Sequence, residues 1–310
     1  MTLPNIATVI GSGTMGPGIA ATLAQAGVTV RVYDISEAAL EQAKTNTTRA
    51  ADVLTELNGP HDSTPAVSFG TNLAEALADT ELVIEAVPEK LELKTQVLAQ
   101  IEELVDDQVP IATNTSGIPI SRMAASMKVP SRFIGMHWSN PPHLIPLIEV
   151  IPGEATAQSV VDELVAAVKA FNYNAVVQKE KAGFVENRVL YAILRECLAL
   201  LEEGIVSPEG LDTTVKWGIG YKLSVIGPTR LLDMAGLDIY QAVSAYLNQD
   251  LDASTTTPQL VEDMVAQNKL GFKTGAGMYE YTPAEIEAKR ADIIAGLTEV
   301  RKTLSAITSI

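Results

Sequence analysis

Ile6-Ala7-Thr8-Val9-Ile10-Gly11-Ser12-Gly13-Thr14-Met15-Gly16 is the stretch that decides the architecture of this chain. Five mostly apolar residues stop at a glycine, as a strand buried on both faces of a parallel sheet does. The helical spacing of Ile19, Leu23 and Ala24 follows, and Gly27 fits the position just past a helix end. Val28 to Tyr33 then reads as a second strand, ending at Asp34. Each part of this strand, G-x-G-x-x-G, helix, strand, acid series has a mechanical task. Gly11 permits a tight turn, Gly13 lets backbone approach a pyrophosphate, and Gly16 lets helix and strand pack closely. Asp34 stands 18 residues beyond Gly16, near the ~20 of dinucleotide-binding units, where an acid accepts hydrogen bonds from ribose hydroxyls. A carboxylate there repels a 2′-phosphate, and Ile35-Ser36 offers no arginine to bind one, so NAD is expected rather than NADP. Gly11, Gly13, Thr14, Met15, Gly16 and Asp34 are the candidate cofactor contacts.

Working outward, residues 35–70 read as a helix followed by a loop through Asn58-Gly59-Pro60 and Ser63-Thr64-Pro65. Strands are expected at Leu82 to Val87, Pro110 to Thr113, Phe133 to His137, Leu147 to Ile151 and Asn174 to Gln178, with a helix over Leu91 to Leu104. The expectation is α/β: a Rossmann-like doubly wound sheet over residues 1–181. After Lys181-Ala182-Gly183 the strand patterns vanish. Helical periods run from Val189 to Val225 and again at Pro228–Met234, Ile239–Leu247, Leu260–Asn268 and Pro283–Ile310, with a turn at Lys273 to Gly277. Residues 182–310 are therefore expected to form an all-helical C-terminal domain.

In an open α/β sheet, ligands gather outside the carboxyl ends of the strands. Asn114, Ser116, His137 and Asn140 each follow a strand's last apolar residue, and four polar residues on one edge suggest a site. Ile134-Gly135-Met136-His137-Trp138-Ser139-Asn140-Pro141-Pro142 places a histidine at that edge, and Leu147-Ile148-Glu149-Val150 places an acid inside the next strand. A carboxylate buried without a partner is costly. His137 is the nearest group able to pair with Glu149 if the strands are neighbours. A histidine titrates near neutrality and serves as a base when one ring nitrogen is tied to a carboxylate. His61 and His143 read as solvated loop residues. Three histidines without paired spacing, with one cysteine, make no metal-ligand set, so no metal is expected.

Composition narrows the partners. Lys+Arg 22 against Asp+Glu 38 gives a net charge of −16, which repels nucleic acid and anionic membranes. One phosphate-bearing cofactor remains compatible, because helix N-terminal amides bind phosphate without basic side chains. Cys197 is the single cysteine, placed like a small buried hydrophobe in a helical pattern, so no intrachain disulfide forms and a reducing cytoplasm is expected. The N-terminus lacks the charged segment of a signal peptide, and no apolar run is long enough to span a bilayer.

The successive motifs Val9-Ile10-Gly11-Ser12-Gly13-Thr14-Met15-Gly16-Pro17-Gly18-Ile19-Ala20, Val83-Ile84-Glu85-Ala86-Val87-Pro88-Glu89, Asn114-Thr115-Ser116, Gly135-Met136-His137 with Asn140-Pro141, Glu149-Val150 and Gly183-Phe184-Val185-Glu186-Asn187-Arg188 resemble those of the 3-hydroxyacyl-CoA dehydrogenase family, in the same order over about residues 5 to 280. The resemblance implies NAD-dependent oxidation of an L-3-hydroxyacyl substrate, with His137 as general base and Glu149 orienting it. It implies that Ser116, Asn140 and Asn187 lie about the reacting oxygen. Glu89, Lys94 and Asn114 would lie on the cofactor side, and the helical domain would form a homodimer.

Two departures bear on the substrate. Residues 35–70 carry only Lys44 and Arg49 against Glu37, Glu41, Asp52, Glu56 and Asp62, where CoA-using relatives present a lysine-rich hairpin to the CoA phosphates. Trp138-Ser139 replaces a pair of aromatics. A CoA thioester is the leading expectation, and a small free 3-hydroxy acid of gulonate or carnitine type is the alternative. A crystallin-like binding protein without turnover ranks lower, because both His137 and Glu149 are present. The 6-phosphogluconate and 3-hydroxyisobutyrate dehydrogenases rank lower too, because their lysine is missing from Gly183 to Arg188.

Overall fold

The structure is a computed structural model that describes residues 3–59 and 65–307. His61 and the Ser63-Thr64-Pro65 turn begin outside those residues, apart from Pro65 itself. The chain divides into two compact units, Met1–Asn187 and Arg188–Ile310.

In the first unit the elements are β1 (Ile6–Ile10), α1 (Gly16–Gln25), β2 (Thr29–Tyr33), α2 (Glu37–Asn58), β3 (Ser68–Gly70), α3 (Leu73–Leu77), β4 (Leu82–Glu85), α4 (Leu91–Glu102), β5 (Ile111–Thr113), α5 (Ile120–Ala124), β6 (Phe133–Trp138), β7 (Leu147–Pro152), α6 (Gln158–Ala170) and β8 (Asn174–Val177). They build one sheet in the order β3-β2-β1-β4-β5-β6-β7-β8. β1 to β6 pair in parallel, while β7 runs antiparallel to β6 and β8 follows β7. The strand order reverses between β1 and β4, the crevice where doubly wound sheets bind ligands.

The strands read as continuous apolar runs because helices cover both faces. Successive residues feed opposite cores, as a period of two requires. Val9, Ile84, Ala112, Ile134 and Val150 pack with Ile19, Leu23, Leu164 and Val168 from α1 and α6. Their neighbours Ile10, Val83, Ile111, Phe133 and Ile151 pack with Leu98, Ile101, Ile120 and Met123 from α4 and α5. Thr8 is polar yet fully buried in β1, and it is satisfied by donating its hydroxyl to the Ala76 carbonyl at 2.7 Å.

One strand was not legible. Residues 65–70 read as loop, but Ser68-Phe69-Gly70 pairs with Arg31, Val32 and Tyr33 as the edge strand β3. Three residues carry no usable periodicity, and the ladder offered by β2 makes them a strand.

The remaining helices are α7 (Glu186–Glu202), α8 (Pro208–Thr214), α9 (Tyr221–Leu223), α10 (Pro228–Ala235), α11 (Leu237–Leu247), α12 (Gln259–Ala266) and α13 (Pro283–Ala306), with a π-helical turn at Val215–Gly220. Capping defines α13: Thr282 accepts from the Glu285 amide while Glu285 accepts from the Thr282 amide, a capping box with Pro283 at the first turn. The turn at Lys273 to Gly277 is held by isolated bridges, Gly271 with Ala276 and Ala276 with Glu280. Among the described residues, no helix is long and apolar enough to cross a membrane.

Candidate active site

At the β1–α1 turn, Gly11 has φ +106°, and a side chain there would meet the Ala86 carbonyl oxygen at 2.7 Å. Gly16 lies so close to the Gly11 carbonyl that a Cβ would stand 2.2 Å from it. Gly13 faces open space, with nothing within 4 Å of a built Cβ. The start of α1 at Met15 carries no side-chain cap and no acid in its first turn. Its amides are therefore open to an anion, as a pyrophosphate requires. Asp34 is oriented by the same turn: its Oδ2 accepts from the Ser12 amide at 2.9 Å and hydroxyl at 2.8 Å, and its Oδ1 from the Ser36 amide at 3.0 Å. An open glycine, an uncapped helix and a fixed acid at the next strand end fit the phosphate and ribose parts of NAD.

Beside this turn lies a buried charge network. Glu85, at the last position of β4, is 0% exposed. It accepts from Lys94 Nζ at 2.8 and 3.0 Å, from Thr113 Oγ1 at 2.6 Å and from the Val87 amide at 2.7 Å. Lys94, also 0% exposed, donates to the Val87 carbonyl at 3.2 Å and lies 3.4 Å from Glu89 Oε2. Glu89 in turn accepts from the Thr115 hydroxyl at 2.5 Å and from the Ser116 and Gly117 amides at 3.0 and 3.2 Å. The two residues expected on the cofactor side, Glu89 and Lys94, are thus tied to one another and to Glu85, which the sequence reading passed over. Its signal was there: an acid closing the apolar run Leu82-Val83-Ile84, the same pattern that singled out Glu149.

His137 and Glu149 face one another across the antiparallel β6–β7 pair, in direct register. Imidazole Nδ1 is 2.8 Å from Glu149 Oε2, with the two residues 6% and 2% exposed. The other oxygen, Oε1, accepts from the amides of Val185 at 3.0 Å and Glu186 at 2.9 Å. Burial pushes the Glu149 pKa up, but the hydrogen bonds from His137, the Glu186 amide and Gln178, with the charge of His137, outweigh it and hold the carboxyl below 4.5. An ionised Glu149 accepts Nδ1–H, which leaves Nε2 with its lone pair free to take a proton. Phe184, 1% exposed, packs against the imidazole with ring centroids 5.5 Å apart.

The other expected residues gather at the same edge. Asn114 Oδ1 accepts from the Trp138 amide at 2.9 Å, which pins the end of β6 to the end of β5. Asn187 Nδ2 donates to the Ser116 carbonyl at 3.0 Å, joining the start of α7 to the loop after β5. Asn140 is exposed beyond β6. His143 differs from its expected exposure: it is half-buried, because the Pro141-Pro142 turn folds onto α1 at Gly18, where a Cβ would meet Pro142 at 2.6 Å and His143 Nδ1 at 3.0 Å. Cys197 is half-buried rather than buried, and burial with nearby Glu196 and Asp212 raises its thiol pKa above 9.0.

Comparison with known proteins bears on this arrangement. The model of the 3-hydroxyacyl-CoA dehydrogenase NAD-binding domain matches residues 6–181, and that of the family's C-terminal domain matches residues 183–281. A 5-formyl-3-hydroxy-2-methylpyridine 4-carboxylate 5-dehydrogenase from Mesorhizobium japonicum is 46% identical over 97% of this chain and 98% of its own. A solved structure of an enzyme of that name, described as an NAD+-dependent dismutase, aligns with a TM-score of 0.94 at 44% identity, covering 98% of this chain and 99% of that one. An (S)-3-hydroxybutyryl-CoA dehydrogenase from Ralstonia eutropha aligns with a TM-score of 0.73 at 35% identity, covering 90% and 99%.

Proposed function

This chain belongs to the 3-hydroxyacyl-CoA dehydrogenase family and is an NAD-dependent dehydrogenase, and on that premise we propose that it oxidises a small carboxylate-bearing substrate that is not carried on CoA. The reaction rests on one observation, the imidazole held by Glu149 at the carboxyl edge of the same sheet that carries the glycine turn. NAD, when bound, accepts the hydride. His137 Nε2 takes the hydroxyl proton of a carbinol, or of the hydrate of an aldehyde, as the carbon gives up that hydride. A carbinol leaves as a carbonyl compound and an aldehyde hydrate as a carboxylic acid. Glu149 keeps the base in the right tautomer and stabilises the imidazolium that forms. Ser116, Asn140 and Asn187 supply hydrogen-bonding groups around the reacting oxygen. On the cofactor side, Gly11, Gly13, Thr14, Met15 and Gly16 receive the pyrophosphate and Asp34 the adenine ribose. Asn114, Glu89 and Lys94 shape the pocket on the nicotinamide side.

Substrate class follows from α2 and from the relatives. In α2, Lys44 and Arg49 are the only bases, and Lys44 is paired with Glu41. The polyanion CoA meets more acids than bases there. The relative at 46% identity is named for a free pyridine carboxylate that bears a formyl group. The working molecule is a homodimer through the helical unit, supported by its exposed apolar side chains, and its place is the cytoplasm, supported by the lone cysteine.

The test is a panel of 5-formyl-3-hydroxy-2-methylpyridine 4-carboxylate, free 3-hydroxy acids and 3-hydroxybutyryl-CoA, read by NADH formation. A free carboxylate should exceed the thioester in kcat/KM by about tenfold or more, the equivalent of ~1.4 kcal/mol. A thioester preferred by that margin would restore the CoA reading.

A further inference from the structure

The base has a second acid beside it that the family resemblance does not supply. One ring nitrogen of His137, one oxygen of Glu149 and one oxygen of Glu186 lie within 4.8 Å of one another. Glu186 is the first residue of α7 and is anchored at both ends. Its amide donates to Glu149 Oε1 at 2.9 Å, and its carboxylate accepts the hydroxyl of Ser139. Ser139 is 2% exposed and directly follows β6. An acid in a first helical turn is favoured by the helix dipole alone. That effect does not require a buried serine to hold the carboxylate back toward the imidazole.

Two carboxylates this close repel one another, and a positive charge beside both offsets that cost most directly. A divalent cation is one candidate, but Nδ1 of His137 is already committed to Glu149 Oε2. Coordination through that nitrogen would dismantle the pair that orients the base. The cation that leaves the pair intact is the imidazolium itself. The groups facing the ring are Glu149 from β7, Glu186 from the start of α7, the uncharged Phe184 and, through Glu186, the hydroxyl of Ser139.

We propose that Glu186, held by Ser139, is a positioning residue of this active site, a second carboxylate set beside the imidazolium that forms when His137 takes the substrate proton. The inference rests on the reading of His137 as the base and assigns the unusual Ser139 of the Trp138-Ser139 pair a task. Charge, not shape, is what the site requires of Glu186.

The chain holds three histidines, His61, His137 and His143, so the ring proton of His137 can be followed by NMR and assigned with the His137→Ala variant. Without any substrate, Glu186→Gln should move the His137 titration to lower pH, the direction set by losing a close opposite charge. Glu186→Asp, which keeps the charge, should stay closer to the wild-type curve. Ser139→Ala should move it in the same direction as Glu186→Gln by less. Thermal stability and NAD affinity are measured alongside, and each should hold in Glu186→Gln. A titration that does not move in Glu186→Gln overturns the proposal, as does one that moves equally in the Asp and Gln variants. Failure of the base assignment is a separate outcome: it shows as retained turnover in His137→Ala, whatever the titrations do.

Discussion

The sheet unit and the helical unit solve the burial problem in opposite ways. The sheet unit hides its apolar strands on both faces and then buries charges among them: Glu85, Lys94, His137 and Glu149 are each at most 6% exposed. In the helical unit, Thr298 and Arg301 are the only buried side chains among the described residues, while Tyr191, Trp217, Tyr221, Met234 and Tyr246 are each more than 60% exposed. A sheet flanked by helices closes its own core. A set of amphipathic helices leaves an apolar face that needs cover, and patches of that kind mark interaction surfaces. The first arrangement buries its polar groups in a closed core, and the second leaves apolar side chains exposed.

The largest effect expected is at the base. His137→Ala should lower turnover by ~10²–10⁴ with little change in NAD affinity, measured by steady-state kinetics and calorimetry. Turnover near the wild-type level would move the chemistry elsewhere.

Next comes the buried pair. Lys94→Met strands Glu85 without its cation, at a cost of about 3–5 kcal/mol, and should lower the unfolding midpoint in urea accordingly. A midpoint close to wild type would mean that the carboxylate finds other donors and that the sheet unit is less rigid than its burial indicates.

The helical unit should be more forgiving of its own fold and less of its assembly. Trp217 and Tyr221, with ring centroids 6.1 Å apart, are the obvious anchors. Replacing both by serine should weaken self-association about thirtyfold, the loss expected of one aromatic hot spot, as read by sedimentation equilibrium. A wild-type chain that sediments as a monomer would remove the second copy as the cover for this face.

Cofactor choice is a smaller matter. Asp34→Ala should narrow the preference for NAD over NADP by about tenfold, because a 2′-phosphate no longer meets a carboxylate. Unchanged selectivity would contradict the ribose assignment.

The smallest effect is a pH dependence. Glu149 is held below its ordinary value of 4.5 in the folded state. Its contribution is therefore present above that value and is lost as pH falls below about 4.5 through the folded pKa. Glu149→Gln should flatten that acid segment of the stability curve, measured by denaturant unfolding across pH.

The elements of the sheet were legible because a buried parallel strand is a run of apolar residues and its end is marked by glycine or a polar side chain. β3 was not, because Ser68-Phe69-Gly70 becomes a strand only through the ladder that β2 presents. His137 and Glu149 were both visible as polar residues misplaced in apolar runs. Glu85 sent the same signal and was passed over. Glu186 sent none, since an acid at a helix start is ordinary in any sequence.

By itself, then, the sequence determined most of the strands of the sheet, the glycine turn between the first strand and helix, and a histidine and an acid that stand out in apolar runs. Those are local facts, set by period, by the missing Cβ of glycine and by the cost of hiding a charge. Only the tertiary structure decided which charges meet: register across β6 and β7 sets Glu149 against His137, a helix returns Lys94 to Glu85, and the first turn of α7 brings Glu186 to the same imidazole. Electrostatic pairing depends on distances of a few ångströms between residues far apart in the chain, and those distances exist only once the sheet has closed.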